Sequence, residues 1–165
     1  MSTVTDYKVI KGDVKSRIDK WIANYPADQR QSACMPALSI VQEVSNGYLT
    51  VELMDEIADY LEMTPIAVYE VATFYGNYEH HPVGEFKFCV CNSISCMLRG
   101  KDDIIEYLET RLGVKVGEVT PNGKFSIKKV ECLGACGGAP MMQLGKDYHE
   151  NLTPEYLDKL ITELE

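Results

Sequence analysis

The sequence predicts an α+β protein in which a small helical bundle precedes a small α/β sandwich. Apolar residues recur at helical spacing in the first half of the chain, whereas strand-like and helical segments alternate after residue 85. The cysteines change at the same place, because residues 1–85 contain one and residues 86–136 contain five. We place the domain boundary between residues 80 and 81, inside the polar stretch 77–85 (NYEHHPVGE), which is typical of a linker.

Four short helices are predicted for residues 1–80. Their limits follow from capping and helix-ending residues. These are Pro26, Ser32 with Pro36 in or near the first turn that follows it, Gly47, Thr50, Thr64-Pro65 and Gly76. Their apolar faces consist of Ile18, Trp21, Ile22 and Tyr25; Leu38, Ile40, Val41 and Val44; Met54, Ile57, Ala58 and Leu61; and Val68, Val71, Ala72 and Tyr75. Short helices with short connections predict a bundle.

The second half predicts strands and helices in turn. FKFCVC (86–91) is rich in β-preferring residues, and residues 98–112 have helical periodicity up to Gly113. A turn at residues 121–123 precedes a strand from about Phe125, and residues 141–149 predict two short strands around a turn. Thr153-Pro154 caps a last helix, whose apolar face is Leu157, Leu160, Ile161 and Leu164. The order predicts a sandwich of about the size of a thioredoxin domain.

Composition limits the function classes. The 165 residues are 45% hydrophobic and 25% charged, which suits a globular protein, and the net charge is −9. An acidic chain does not favour nucleic acid or an anionic membrane as its main partner, so we expect a protein partner. We find no signal peptide and no run long enough to span a membrane, so we expect a cytosolic protein. In a reducing cytosol, clustered cysteines indicate metal binding or catalysis.

Four cysteines form two close pairs. Cys91 and Cys96 are separated by four residues, Cys132 and Cys136 by three, and the two pairs by 35. Each pair lies in a predicted loop just after a strand, and both loops can lie at the same edge of the sheet. Thiolates are ligands for zinc, copper(I) and iron–sulfur clusters. The sequence therefore predicts a site in which four thiolates converge.

The spacing favours a 2Fe-2S cluster and leaves two alternatives open. A zinc site usually uses C-x2-C pairs, and wider pairs suit an object with two metal atoms. A thiol–disulfide pair usually has the C-x-x-C pattern, which is absent. The C-x4-C spacing of plant-type ferredoxins is present, but Met97, Leu98 and Arg99 follow Cys96 where a third cysteine would be needed. Zinc and disulfide chemistry remain the alternatives.

Neighbouring residues would tune such a site. Three glycines, Gly134, Gly137 and Gly138, allow backbone N–H groups to approach the sulfurs. A helix starting near Leu98 would point its N-terminal dipole at Cys96, and Arg99 could add positive charge. Such donors and positive charges raise the reduction potential of the site, whereas a negative neighbour such as Glu131 lowers it.

These motifs resemble a known family. VCNSISCMLRG (90–100) and VECLGACGGAPMM (130–142) look like the thioredoxin-like 2Fe-2S subunit of NADH:quinone oxidoreductase, respiratory complex I, which is the E subunit of bacteria and the 24-kDa subunit of mitochondria. QSACMPALSIVQEVSNGYL, TPIAVYEVATFY and YHENLTPE also match, so the resemblance covers most of the chain. Gly137-Gly138 stands where relatives often carry bulkier residues.

The resemblance implies a role in electron transfer. A helical domain (1–80) would dock a partner, and a thioredoxin-like domain (81–165) would hold one 2Fe-2S cluster on Cys91, Cys96, Cys132 and Cys136. The cluster would exchange single electrons with the FMN of a flavoprotein subunit, which alone would bind FMN and NADH. The chain would be a non-catalytic subunit on the cytoplasmic side of the inner membrane. Similar modules occur in NAD-dependent hydrogenases, formate dehydrogenases and electron-bifurcating complexes.

Other chemistry-bearing residues have simpler interpretations. Cys34 and Cys89 are expected to be core cysteines, because both lie among apolar residues. His80 and His81 are expected to be solvated in the linker, and Met141-Met142 to belong to a strand core. We find no nucleophile–base pair, no G-x-G-x-x-G fingerprint and no P-loop, so we expect no catalytic residues and no NADH or FMN site on this chain.

Overall fold

The structure, a computed structural model, describes residues 7–165, which form two compact units. The first unit ends at Pro82 and the second comprises Val83–Glu165. Residues 1–6 lie outside the described residues. Both units match the α+β architecture expected, with helices first and a mixed sheet after.

The described part of the first unit contains four helices. They are α1 (Gly12–Ile22), α2 (Cys34–Val44), α3 (Val51–Leu61) and α4 (Pro65–Phe74), and a 3-10 turn at Arg30–Ala33 precedes α2. Their buried side chains form one core, which includes Ile18, Leu38, Val41, Ile57, Leu61 and Val68. Before α1, the backbone N–H groups of Val9 and Ile10 donate to the Glu56 carboxylate of α3 at 2.8 and 2.7 Å.

The predicted inward face of α1 is partly wrong. The helix ends at Ile22, and Trp21 and Tyr25 are 47% and 36% exposed. Ile18 is buried, with Val14 and Ile22 packed at the edge of the same core. These three follow an i, i+4, i+8 row, which makes a narrow stripe that excludes Trp21. Val44 of α2 and Tyr75 after α4 are also exposed, contrary to prediction.

The predicted helix caps have mixed outcomes. Thr50 caps α3, since its hydroxyl accepts from the Leu53 N–H at 3.4 Å. Thr64 precedes Pro65 as predicted, but its side chain makes no capping bond. Ser32 is not a cap, because it lies within the 3-10 turn and its N–H donates to the Gln29 carbonyl. The cap position of α2 is Ala33, without a side-chain bond.

The second unit is a sheet with helices. Its strands are β1 (Phe86–Cys91), β2 (Phe125–Val130), β3 (Met142–Leu144) and β4 (Asp147–His149), and its helices are α5 (Ile94–Leu98), α6 (Lys101–Leu112) and α7 (Pro154–Leu164). The strand order is β2-β1-β3-β4. Strands β1 and β2 are parallel, whereas β3 is antiparallel to both β1 and β4. A 3-10 turn spans Cys136–Gly138.

One face of this sheet carries the core of the second unit. Phe88, Val90, Ile127 and Met142 are buried with residues of α6 and α7, namely Ile104, Ile105, Leu108, Leu157 and Ile161. Burial of each large apolar side chain stabilises the fold by about 1.5–3 kcal/mol. The predicted apolar faces of the last two helices are confirmed, although Leu112, Leu160 and Leu164 are only partly buried.

The helix predicted over residues 98–112 is confirmed except at its start, because it begins at Lys101, and the short helix α5 before it was not predicted. Two helices occupy residues 94–112, and Gly100 separates them with a φ of +87°. This left-handed conformation is readily adopted by glycine and interrupts a right-handed helix. Gly113 ends α6 as predicted. No helix in residues 7–165 is long and apolar enough to cross a membrane.

Candidate metal centre

The ends of two parallel strands bring the cysteine loops together. Cys91 is the last residue of β1 and lies beside Val130, the last residue of β2. The next backbone N–H, that of Asn92, donates to the Val130 carbonyl at 2.8 Å. The loops that follow the two strands therefore start at the same edge of the sheet, as the sequence predicts.

The first loop folds at once into the short helix α5. Ser93 is its N-cap residue, and the Met97 N–H donates to the Ser93 carbonyl at 2.9 Å. Cys96 is the third residue of α5 and only 1% exposed, and Cys91 is 3% exposed. The first pair of thiols is therefore buried. The expectation that a helix dipole starting near Leu98 points at Cys96 is wrong, because Cys96 lies inside the preceding helix.

The second loop carries its two thiols at the surface. Cys132 and Cys136 are both exposed. Gly134 between them has a φ of +81°, which reverses the chain, and Cys136 begins a 3-10 turn. The Tyr148 hydroxyl of β4 donates to the Leu133 carbonyl at 2.8 Å and holds this loop.

The four thiols form one connected group. Burial raises the pKa values of both Cys91 and Cys96; the neighbouring thiols of Cys96 and Cys132 lower that of Cys91, and those of Cys91 and Cys136 raise that of Cys96, so the four thiols lie near one another. Each loop therefore contributes both of its cysteines to the same place. This is the convergence that the spacing of the two pairs predicts.

Backbone N–H groups point at the buried sulfurs. Burial raises the pKa of Cys91, but hydrogen bonds from the N–H groups of Ser93 and Leu133, and from the neighbouring thiols, outweigh it, so its pKa lies below the usual value. Burial raises the pKa of Cys96, and the adjacent Cys91 raises it further, while the Met141 N–H lowers it only in part.

An apolar shell surrounds the buried pair. Ala139 and Met141 are buried against Cys91 and Cys96, with Leu133 and Ala135 at the edge. The Cys91 N–H also donates to the Met141 carbonyl at 3.1 Å. Sequence reasoning assigned Met141 and Met142 together to a strand core. Only Met142 joins the core of the sheet, since adjacent residues of an extended segment face opposite sides.

Arg99 and Glu131, which the sequence analysis expects to tune the site, are not among the main influences on the pKa values of the buried thiols. Arg99 and Glu131 are exposed. The largest influences on the pKa values of Cys91 and Cys96 come instead from burial, backbone N–H groups and the other cysteines. Backbone geometry at the loops is thus the main feature that prepares this site for negative charge.

The chemistry of the donor set fits an iron–sulfur cluster. Four thiols in two pairs, with backbone N–H groups directed at sulfur, are the kind of ligands that would hold a 2Fe-2S cluster. Within residues 7–165, no three Cys, His, Asp or Glu side chains are already arranged around one metal ion.

The two remaining cysteines and the two linker histidines differ in burial and in their contacts. Cys34 is buried in the first unit, and burial raises its pKa to about 11. Cys89 is half-buried on β1, so it is less enclosed than expected of a core residue. His80 is not simply solvated, because its Nε2 donates to the Ala72 carbonyl at 3.1 Å. His81 is exposed as expected.

Comparison with known proteins gives consistent matches. The family model for thioredoxin-like 2Fe-2S ferredoxin matches residues 18–165. The second E subunit of NADH-quinone oxidoreductase from Rhizobium meliloti is 44% identical over 148 residues, which cover 90% of this chain and 86% of that protein. NADH dehydrogenase (ubiquinone) flavoprotein 2, mitochondrial, of Dictyostelium discoideum is 42% identical, with 83% of this chain and 56% of that protein covered.

A solved structure has the same fold at low identity. A crystal structure of an NAD+-reducing NiFe-hydrogenase in the air-oxidized state superposes with a TM-score of 0.68 at 16% identity. The match covers 85% of this chain, which spans about a quarter (24%) of that hydrogenase chain. At this identity the likeness concerns the fold alone.

Proposed function

Because this chain belongs to the thioredoxin-like 2Fe-2S ferredoxin family, and its relatives include the E subunits of NADH-quinone oxidoreductases, we propose that it is an electron-transfer subunit of such a complex. The resemblance inferred from the two cysteine motifs is confirmed by these matches. The observation that carries the proposal is the meeting of two cysteine pairs at one sheet edge, with backbone N–H groups directed at the sulfurs.

Cys91, Cys96, Cys132 and Cys136 would hold the group. When bound, a 2Fe-2S cluster supplies a centre that accepts and returns one electron at a time. The buried pair, Cys91 and Cys96, fixes one side of the site within the apolar shell, and the exposed pair closes it from the solvent side. Two thiols at the surface leave that side open to a docked partner.

The backbone supplies the charge stabilisation that the site needs. The N–H groups of Ser93, Leu133 and Met141 donate toward the sulfurs of Cys91 and Cys96. Such donors stabilise thiolates and favour added negative charge nearby. Buried Ala139 and Met141 exclude water from the inner side of the same sulfurs. The chain thereby positions the thiolates and sets the polarity around them.

The remaining assignments concern the assembly. The helical domain (1–80) is assigned to partner docking, and the thioredoxin-like domain (81–165) to the cluster. The partner that we propose is a flavoprotein subunit that carries FMN and binds NADH, as the family resemblance implies. The sequence of this chain contains neither a dinucleotide fingerprint nor a P-loop. The chain would lie on the cytoplasmic side of the membrane through the complex. The hydrogenase likeness concerns only the fold, so the related complexes are not preferred.

Iron, zinc and acid-labile sulfide analysis of anaerobically purified protein tests the proposal. We expect two irons and two sulfides per chain, as a 2Fe-2S cluster requires, and an electron paramagnetic resonance (EPR) signal after dithionite reduction. Serine at any one of Cys91, Cys96, Cys132 or Cys136 should abolish or strongly change that signal. Zinc without sulfide would overturn the assignment.

The chain offers two matched controls. Cys34→Ser removes a buried thiol of the first unit and Cys89→Ser a half-buried thiol of β1, and neither residue is a proposed ligand, so both variants should keep full iron, sulfide and EPR intensity. If Cys89→Ser loses the cluster while Cys132→Ser or Cys136→Ser retains it, the ligand set is wrong. A separate experiment, co-purification with a flavoprotein from the native source, tests whether the chain belongs to an NADH-quinone oxidoreductase.

A further inference from the structure

The segment after β4 runs along the second ligand loop. The Asn151 N–H donates to the Gly138 carbonyl at 2.6 Å, and the Leu152 N–H donates to the Pro140 carbonyl at 3.0 Å. Two consecutive backbone bonds fix the lateral position of this segment. The residue just before them, Glu150, is therefore held directly over Gly138.

The side chain of Glu150 occupies the space that a side chain at position 138 would need. Gly138 is buried, and a Cβ atom added to it would lie 2.5 Å from both Cβ and Cδ of Glu150, and closer still to its Oε2. Real Cβ atoms do not approach other heavy atoms so closely. The acidic side chain thus folds back over the turn Cys136–Gly138, and only glycine at position 138 permits this arrangement.

We propose that Glu150, admitted by Gly138, lowers the reduction potential of the bound cluster. The inference rests on the proposed function, since it requires a cluster at Cys136. Four thiolates already give the group a negative charge, and an added electron makes it more negative. A carboxylate beside the ligand turn disfavours that electron by Coulomb repulsion. This role differs from that of Glu131, which the sequence suggested.

The exposure of Glu150 adds a second readout, which is the difference in salt dependence between the wild type and Glu150→Gln. Its side chain lies against the loop on one side and faces solvent on the other, so dissolved ions can screen its charge. The reduction potential of the wild-type protein should therefore rise as salt is added. Glu150→Gln keeps the shape of the side chain but removes the charge, so it should raise the potential and weaken this salt dependence.

A redox titration followed by EPR on the purified chain tests the inference. We expect Glu150→Gln to shift the midpoint potential upward, with iron and sulfide content unchanged. Gly138→Ala should do the same, because the methyl group expels the carboxylate. In the double variant the two shifts should not add, since both act through the same charge. Glu163→Gln on α7, an exposed acid paired with Lys159, is the control and should leave the potential unchanged.

The outcomes separate the two proposals. If wild-type protein binds no iron and sulfide, the proposed function fails and this inference with it. If all variants carry the cluster and Glu150→Gln shifts the potential no more than Glu163→Gln, only the inference is overturned. If Glu150→Gln alters cluster content or loop order but leaves the salt dependence as strong as in the wild type, the role of Glu150 is merely structural, and that result would also overturn the inference.

Discussion

The Tyr148 hydroxyl donates to the Leu133 carbonyl at 2.8 Å, which ties β4 to the loop that carries Cys132 and Cys136. Residue 148 is 15 positions away along the chain, so this bond gives the loop an anchor that local turns alone do not supply. Exposed loops without such anchors open readily. Tyr148 is therefore a residue that orders the exposed pair of thiols.

We predict that Tyr148→Phe loosens this loop. Removal of one hydroxyl should cost about 1 kcal/mol locally, because the Leu133 carbonyl then bonds only to water. Amide hydrogen exchange of residues 131–138 should quicken in the apo protein. Tyr156→Phe is the control, since its hydroxyl contacts Nδ1 of His149 instead. Equal exchange of the loop in both variants would count against the anchor.

Two threonines of the first unit make a matched pair for helix capping. The Thr50 hydroxyl accepts from the Leu53 N–H, whereas the Thr64 side chain makes no capping bond. Thr50→Ala should lower the free energy of unfolding by about 1 kcal/mol, and Thr64→Ala by clearly less. Urea denaturation followed by circular dichroism measures both. A larger loss at Thr64 would contradict the capping geometry.

Gly84 is a position where the backbone of β2 comes too close for a side chain. An added Cβ would lie 2.7 Å from Ser126 N and 2.8 Å from Phe125 Cα, and closer still to the Phe125 carbonyl carbon. The Gly84 N–H also donates to Ser126 Oγ at 3.0 Å. We predict that Gly84→Ala destabilises the second unit by about 1–3 kcal/mol, because backbone must move.

Thermal unfolding of Gly84→Ala and Gly76→Ala measures this cost. Gly76 has open space where its Cβ would stand, so its substitution should change the unfolding temperature little. Equal unfolding temperatures of the two variants would contradict a close approach of β2 to Gly84.

The site was largely predictable because its signals are local. Strand β1 ends in Cys91, the first cysteine of one pair, and β2, which has β-preferring residues, is followed directly by the other pair. Parallel strands place their carboxyl ends at one edge, so two short motifs are enough to predict that the thiols meet. The apolar faces of α6 and α7 were predictable for the same reason, because their apolar residues recur at helical spacing over three turns.

The missed features depend on tertiary or single-residue effects. Helix α5 has five residues, too few for periodicity to separate it from α6, and the break depends on the conformation of Gly100 alone. Trp21 has helical spacing but lies beside the buried stripe. The contact of Glu150 with Gly138 joins residues twelve positions apart, and no pattern in either segment indicates it.

Cys34 supplies a prediction that depends on pH. Burial raises the pKa of its thiol from 9.0 to about 11, so the folded protein keeps the proton while the unfolded chain releases it. Between pH 9 and 11 the folded state therefore binds more protons than the unfolded state. The free energy of unfolding must then fall as the pH rises through this window, and the contribution is fully present below pH 9.

Cys34→Ala removes this contribution and serves as the reference. Urea denaturation of the wild type and of Cys34→Ala at several pH values should show a stability difference that is constant below pH 9 and shrinks toward pH 11. Other titrating groups are present in both proteins, so their effects cancel in the difference. Alkylation by iodoacetamide gives a second reading: in native apo protein, exposed Cys132 and Cys136 should react well before Cys34. A stability difference that stays constant up to pH 11, with rapid labelling of Cys34, would mean that its thiol is accessible and not held protonated by burial.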